Sequence, residues 1–179
     1  MELWDVLDKN RNRTGRTVER GQPMAQDEYH LVVHVWVVTP KGEFLISRRT
    51  PNKTFPGMWE SSGGSAVAGE DSLTAAIRET REELGISLVP SNGMVFRSYR
   101  RQKYNCPDFL DVWLFVQDVS LDNVTYQPGE TDGAMLATQA QLEDMIKKGR
   151  FIGRDIYPYL DELFADVARR QGQIADHKE

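Results

Sequence analysis

The sequence predicts an α+β fold in which helices pack on the faces of a mixed β-sheet. Two observations carry this prediction. Apolar segments of strand length lie before and after a single internal helical segment, and two more helical segments come near the end of the chain. The length of 179 residues favours one domain with a modest extension.

Residues 1–28 form a polar lead-in for which two structures remain open. Strand-like segments over 3–7 and 16–20 flank residues 8–15, whose Asn, Asp and Gly residues favour a turn. This pattern predicts a β-hairpin, and the alternative is a loose arm. A hairpin could also reach a second subunit and support a homodimer.

The sheet is predicted to begin at residue 30. Residues 30–38 are rich in valine and aromatic side chains, which is typical of a buried strand. A turn at 40–42 separates them from a second strand over 43–49, and residues 51–57 form a loop. Residues 63–69 are small and glycine-rich, and we expect a turn there.

A helix is predicted over residues 71–84, where apolar residues recur at helical spacing on one stripe. Gly85 follows it, at the position where helices commonly end in the left-handed conformation. Four more elements and a tail are then expected: strands over 94–104 and 108–118, a short helix over 142–148 with Thr138 as N-cap, a longer helix over 155–171, and a polar tail over 173–179.

Composition excludes several functional classes. The net charge of −5 argues against non-specific nucleic-acid binding. We find no apolar segment long enough to cross a bilayer and no secretory signal in residues 1–5. The single cysteine, Cys106, cannot form an intramolecular disulfide and is consistent with a reducing compartment. We therefore expect a cytoplasmic protein without a nucleic-acid or membrane partner.

The helix over 71–84 carries more negative charge than its packing requires. Glu79, Glu82 and Glu83 fall within about a third of the helix circumference, where like charges repel each other. Mg²⁺ or Mn²⁺ would neutralise this cluster, because both ions prefer carboxylate oxygens. The alternative is a solvated acidic face.

The spacing around these glutamates favours the metal site. Gly64 is followed by five residues and Glu70, then by seven residues and the run R-E-T-R-E-E-L-G-I that begins at Arg78. This pattern resembles the Nudix box, G-x5-E-x7-R-E-U-x-E-E-x-G-U, in which U is a bulky aliphatic residue. Thr80 departs from the first U position, which predicts a packing adjustment. Val67 stands where many members carry a glutamate, which could change the number of metal ions.

The resemblance implies both a fold and a reaction. The fold is a Nudix-type α/β/α sandwich over residues 29–172, with a mixed β-sheet and a catalytic loop–helix–loop. The reaction is metal-dependent cleavage of a diphosphate linkage, in which Mg²⁺ or Mn²⁺ neutralises phosphate oxygens and lowers the pKa of a bound water. The metal ligands and catalytic residues that the resemblance implies are the Gly63 carbonyl, Glu79, Glu82 and Glu83.

Other residues of the predicted site have more than one possible role. Glu82 or Glu79 would serve as the general base. Arg78 and Glu70 are expected to form an internal ion pair that orients the loop before the helix. Glu130 lies in a loop outside the box, and it could be an additional base or ligand or an exposed loop carboxylate.

Cationic side chains are needed to bind the phosphates of a substrate. Arg48, Arg49 and Lys53 precede the glycine-rich segment and are the first candidates. Because side chains alternate along a strand, only some of them can face the site. A second set of cations accompanies the later strands: Arg97, Arg100, Arg101 and Lys103.

The flanking segments are similar to the Nudix branch that contains isopentenyl-diphosphate isomerase. The similarity lies in residues 4–16, 30–36 and 48–59. That isomerase needs a cysteine and a histidine shortly after the position of Trp59, and residues 61–66 contain neither. We therefore predict hydrolysis of a nucleoside diphosphate derivative or another organic diphosphate. Isomerase-like activity and a catalytically silent ligand-binding domain are the alternatives.

Overall fold

The computed structural model describes residues 2–102 and 106–176. Within these residues the chain forms a set of strands and α-helices with the following bounds: β1 Leu3–Leu7, β2 Arg13–Glu19, β3 His30–Val38, β4 Phe44–Arg49, β5 Trp59–Glu60, β6 Ser62–Ser65, α1 Ser72–Leu84, β7 Gly93–Arg101, β8 Asp108–Val116, β9 Thr131–Ala137, α2 Gln139–Lys147 and α3 Leu160–Asp176.

The main sheet is mixed, as the sequence predicts. Its strands run in the order β5-β4-β3-β8-β7, while β6 also pairs with β3 and β9 also pairs with β4. The β3–β8 pairing is parallel, and the other pairings in this sheet are antiparallel. Strands β3 and β8 occupy the centre, which explains why both are rich in apolar residues.

Two hydrophobic cores lie on opposite faces of the sheet. On one face Val33 and Val35 of β3 pack with the apolar stripe of α1. On the other face Trp36 packs with residues of α2 and α3, including Leu142 and Leu160. This division follows from the alternation of side chains along β3. The predicted sandwich, with helices on both faces of a mixed sheet, is confirmed.

Local signals set the ends of α1. The Asp71 carboxylate accepts a hydrogen bond from the Thr74 backbone N–H at 2.8 Å, so Asp71 is the N-cap. Gly85 ends the helix with φ = 68°, and its N–H donates to the Arg81 carbonyl. A side chain at residue 85 would also collide with the Thr125 hydroxyl, which lies 2.1 Å from the Cβ position. Both reasons favour glycine there.

Several elements differ from the prediction, among them the unpredicted strand β5. Helix α3 begins at Leu160 and not at residue 155, because Pro158 lacks an N–H and disfavours the helical conformation in the residue before it. The helix continues to Asp176, past the predicted start of the polar tail, and residues 177–179 lie outside the described part. Residues 62–65 form β6 and not a turn. Strand β9 was not predicted.

The N-terminal segment forms a β-hairpin that packs against the main domain. Strand β1 pairs antiparallel with β2. The Trp4 ring stacks on His30 at 4.2 Å between centroids, and the Arg11 guanidinium pairs with buried Asp111. Among the described residues, none of the helices is both long and apolar enough to cross a membrane.

Candidate active site

The three glutamates of the box differ in depth within the structure. Glu83 is buried, with a relative exposure of 6%. The Glu79 side chain is 15% exposed, whereas that of Glu82 is 48% exposed. One turn of α1 therefore carries two deep carboxylates and one at the rim, in agreement with the helical geometry.

Each of the two glycines before α1 lies against a close neighbour, Gly64 against Glu79 and Gly63 against β3. A Cβ on Gly64 would lie 2.4 Å from Oε1 of Glu79, and a Cβ on Gly63 would lie 2.4 Å from the Val33 carbonyl oxygen. Neither glycine is among the residues with positive φ. Close packing, and not a left-handed backbone, is thus the reason for glycine at both positions.

Arg78 is the centre of a network that orders the loop before α1. Its Nε donates to Glu70 Oε1 at 2.8 Å and its Nη2 donates to Glu70 Oε2 at 3.0 Å. Nη2 also donates to the Ser65 carbonyl, while Nη1 contacts Glu79 at 3.0 Å and Glu82 at 2.9 Å. The predicted Arg78–Glu70 ion pair is confirmed, and it ties the loop directly to the helix.

Glu60 is a fourth carboxylate at this site that the sequence analysis did not identify. It lies on β5, in register with Ser47 of β4. Burial raises its pKa, even though Nη1 of Arg49 donates to both of its oxygens at 2.7 and 2.6 Å. Burial, followed by the negative charges of Glu60 and Glu79, raises the pKa of Glu83 to about 8.

Glu83 also has an unsatisfied oxygen. Its Oε2 is fully buried and has no hydrogen-bond partner among the described residues. A buried carboxyl oxygen without a partner is unfavourable, because it has lost its hydrogen bonds to water and accepts none from the protein. Oε2 of Glu83 is therefore the atom at which a bound ligand would supply a missing partner.

The three predicted phosphate-binding cations divide between two faces of the sheet. Arg49 pairs with Glu60, and Lys53 pairs with Glu130. Arg48 points to the other face, where it pairs with Asp132 at 2.7 Å and lies over the Trp59 ring. Four carboxyl groups form what we call the carboxylate cluster: Glu60, Glu79, Glu82 and Glu83. The structure thus brings Arg49, Lys53 and Glu130 to this cluster and leaves Arg48 away from it.

A family model described as NUDIX domain matches residues 28–160. The chain belongs to the Nudix family. It is 40% identical to an uncharacterized Nudix hydrolase of Listeria monocytogenes, over 92% of this chain and 94% of the relative. The relative's name and the intact box agree, and the protein is a Nudix hydrolase.

Solved structures support the same fold. A Deinococcus radiodurans protein superposes with a TM-score of 0.68 at 23% identity, covering 93% of this chain and 99% of that one. The bifunctional NMN adenylyltransferase/ADP ribose pyrophosphatase of Francisella tularensis, complexed with AMP and a Mn ion, superposes with a TM-score of 0.58 at 20% identity. The match covers 79% of this chain and 43% of the Francisella chain. Neither comparison supports the isomerase alternative, and the isomerase-like branch stays a prediction.

The described members of the second set of cations in this Nudix domain lie away from the carboxylate cluster, and two of them pair with other acidic residues. Arg97 pairs with Glu162 and Arg101 pairs with Asp108. Arg100 donates to the Lys9 carbonyl at 3.4 Å, and Lys103 lies outside the described residues. The ion pairs hold β7 to α3 and to β8.

The donor set of the Nudix site fits a hard divalent cation. Glu79, Glu82 and Glu83 supply oxygen atoms, and one oxygen of Glu83 is unpartnered. No three His, Cys, Asp or Glu side chains in residues 2–102 and 106–176 are already arranged around a common metal position. Arg78 contacts Glu79 and Glu82, so a cation held by these two carboxylates would compete with Arg78 for their oxygens.

Proposed function

We propose that this Nudix hydrolase uses Mg²⁺ or Mn²⁺ to cleave the diphosphate linkage of a nucleoside diphosphate derivative or another organic diphosphate. The observation that carries the proposal is the unpartnered oxygen of Glu83, buried beside Glu60 and Glu79. Glu83 is buried and Glu60 and Glu79 are half-buried, and Arg49 and Arg78 pair with the latter two, so Glu83 is the carboxyl that would gain most from a bound cation. A site with this composition favours a ligand that brings positive charge.

The roles of the residues follow from their positions. Glu79 and Glu83 would be the more deeply placed ligands of the metal. Glu82 would be the exposed ligand, and the Gly63 carbonyl would be a backbone ligand. The ion would neutralise phosphate oxygens and make a bound water more acidic. Glu82 is exposed enough to take the proton of that water. Glu79 is the other candidate for the base.

The remaining groups would bind and orient the substrate. Arg49 and Lys53 bring two positive charges to the edge of the carboxylate cluster, where the phosphates of a substrate would lie. The attack of water on one phosphorus breaks the bridging P–O bond, and the leaving phosphate carries away the electron pair. The Francisella protein is named an ADP ribose pyrophosphatase, and this name supports a nucleotide derivative as substrate.

A panel of diphosphates tests the proposal. The purified protein is incubated with Mg²⁺ or Mn²⁺ and with nucleoside diphosphate derivatives, dinucleotides and isopentenyl diphosphate, and monophosphate or phosphate release is followed. We expect release from at least one compound and a loss of about a hundredfold in Glu82→Gln, if Glu82 is the base. The matched control is Glu143→Gln, which changes an exposed helical glutamate that accepts a hydrogen bond from Gln139 and should leave the rate unchanged.

The outcomes separate the alternatives. No release from any compound, with Glu82→Gln indistinguishable from the wild type, would contradict hydrolysis and favour a silent ligand-binding domain. Conversion of isopentenyl to dimethylallyl diphosphate would favour the isomerase. Release that survives in Glu82→Gln would exclude Glu82 as the base and leave Glu79 as the candidate.

A further inference from the structure

Two loops near the carboxylate cluster are bonded to each other. Thr50 follows β4, and its N–H donates to the Glu130 carbonyl at 3.2 Å. Its hydroxyl donates to the Gly129 carbonyl at 2.7 Å. The Lys53 N–H in turn donates to the Thr50 carbonyl at 3.2 Å, which closes a turn. This arrangement holds the Lys53 side chain beside Glu130.

The Lys53 ammonium occupies an acidic environment. It forms an ion pair with Glu130, and its side chain is only 21% exposed. Its positive charge acts on Glu60 and Glu83 as well, because it opposes the rise in the pKa of both groups. Lys53 thus partly neutralises carboxylates from one loop, from β5 and from α1.

Arg49 cannot substitute for Lys53 in this role. Its Nη1 is bonded to both Glu60 oxygens, and its Nε is bonded to the Thr54 carbonyl. A planar guanidinium held at two ends is fixed in orientation. Lys53 has a single ammonium on a flexible four-carbon stem, so it can leave one partner and reach another without a change in the backbone.

We propose that Lys53 is a displaceable counter-ion: it neutralises the carboxylate cluster of the metal-free protein, leaves Glu130 when a divalent cation binds, and then binds the diphosphate of the substrate. This inference rests on the proposed function, because it assumes the same metal site. The physical reason is repulsion between the ammonium and a divalent ion that compete for the same carboxylates. The displaced ammonium finds new negative charge on the substrate.

The proposal requires effects of opposite sign on the two ligands. Without Lys53 a metal ion no longer displaces a cation, so its affinity should rise. The substrate, in contrast, loses a partner and should bind less tightly. A lysine that only tethers the two loops would lower metal affinity when removed, or leave it unchanged.

The test uses Lys53→Met, which keeps most of the apolar stem and removes the charge. The control is Lys148→Met, because Lys148 also pairs with a carboxylate, that of Asp144, but lies at the end of α2. Mn²⁺ binding is measured without substrate by the loss of the free-ion paramagnetic resonance signal. We expect Lys53→Met to bind Mn²⁺ about tenfold more tightly than the wild type and Lys148→Met to bind equally well.

Steady-state kinetics at saturating Mn²⁺ give the second readout. We expect the KM of Lys53→Met to rise about tenfold with little change in kcat, and Lys53→Arg to restore part of the KM. Unchanged or weaker Mn²⁺ binding by folded Lys53→Met would overturn the proposal, and so would an unchanged KM. A wild-type protein that binds no Mn²⁺ would contradict the proposed function itself, and the two failures are therefore distinguishable. Thermal unfolding of each variant checks the fold.

Discussion

The two halves of the candidate site differ in how completely their charges are satisfied. Around Arg78 and Glu70 both charged groups have several partners within 3.0 Å. Around Glu83 and Glu60, burial raises the pKa of both carboxyls, and one oxygen of Glu83 has no partner among the described residues. The first half is complete in the protein alone. The second half contains a buried oxygen that a bound ligand would satisfy.

This difference predicts that substitutions in the two halves affect different properties. The half around Arg78 should contribute mainly to stability, whether or not a metal is present. The half around Glu83 should contribute mainly to metal binding and rate, and its carboxylates should reduce stability when no metal is present. The following experiments test this division.

The largest effect is expected for Glu83→Gln on the rate of hydrolysis. Removal of a buried carboxylate from the metal site should lower kcat/KM by about a thousandfold, equivalent to ~4 kcal/mol of transition-state stabilisation. Mn²⁺ affinity should fall in the same variant. A Glu83→Gln protein that keeps more than a tenth of the wild-type rate would contradict the assignment of Glu83 to the metal.

A loss of stability is expected for Glu70→Gln. The Glu70 carboxylate accepts bonds from Arg78 and from the Val67 N–H, and its side chain is 13% exposed. A glutamine removes the charge that makes these hydrogen bonds strong, while Arg78 keeps its contacts with Glu79 and Glu82, so the free energy of unfolding should fall by about 2 kcal/mol. Urea unfolding with EDTA and with Mn²⁺ should show the same loss. A loss that Mn²⁺ abolishes would place Glu70 in the metal site instead.

An intermediate effect is expected for the pH dependence of the metal-free protein. Burial and the charges of Glu60 and Glu79 raise the pKa of Glu83 to about 8, so the folded state holds a proton that the unfolded state releases near its ordinary pKa. Stability should therefore fall as pH rises from about 4.5 to 8. Glu60 and Glu79 share the protons of this cluster, and we expect a difference of about 2 kcal/mol from Glu83→Gln at pH 8.

The measurement is urea unfolding in EDTA across this pH range. Glu83→Gln should show a smaller slope than the wild type and should be the more stable of the two at pH 8. Equal slopes in both proteins would mean that Glu83 is charged throughout this range and already neutralised without a metal.

The smallest effect is expected for Thr80→Val. Thr80 is fully buried, and its hydroxyl donates to the Ala76 carbonyl of the preceding turn at 3.0 Å. The substitution exchanges this bond for a methyl group of similar volume, so stability should change by less than about 1 kcal/mol. The value of kcat/KM should stay within about twofold of the wild type. A tenfold loss would show that this hydroxyl supports the glutamates of the site.

The box and its internal ion pair could be predicted from the sequence because their signals are local. Fixed spacing along one helix places Glu79, Glu82 and Glu83 together. The Arg78–Glu70 pair joins α1 to the loop immediately before it, and its members are only eight residues apart in the sequence. The N-cap at Thr138 was also predictable, and the structure has a complete capping box there.

Glu60 and the division between Arg48 and Arg49 could not be predicted, because they depend on strand register. Strand β5 has two residues and pairs with β4, with Glu60 beside Ser47 and Trp59 beside Arg48. This register turns Glu60 to the face with the site and turns Trp59 and Arg48 to the other face. A strand of two residues has no periodicity to detect. Strand β9 contains glycine and alanine and gives a weak signal, and its pairing with β4 determines its structure.

The hairpin at the start of the chain changes what should be counted as the catalytic unit. The Leu3 carbonyl accepts the Ala68 N–H at 2.7 Å, and the Asp5 carboxylate accepts the Gly69 N–H at 2.8 Å. Arg13 donates to the Glu70 carbonyl. These contacts come from residues before the 28–160 segment that matches the family. They nevertheless hold the loop within the box that precedes α1. A minimal domain cut at the family boundary would leave this loop without its outer support.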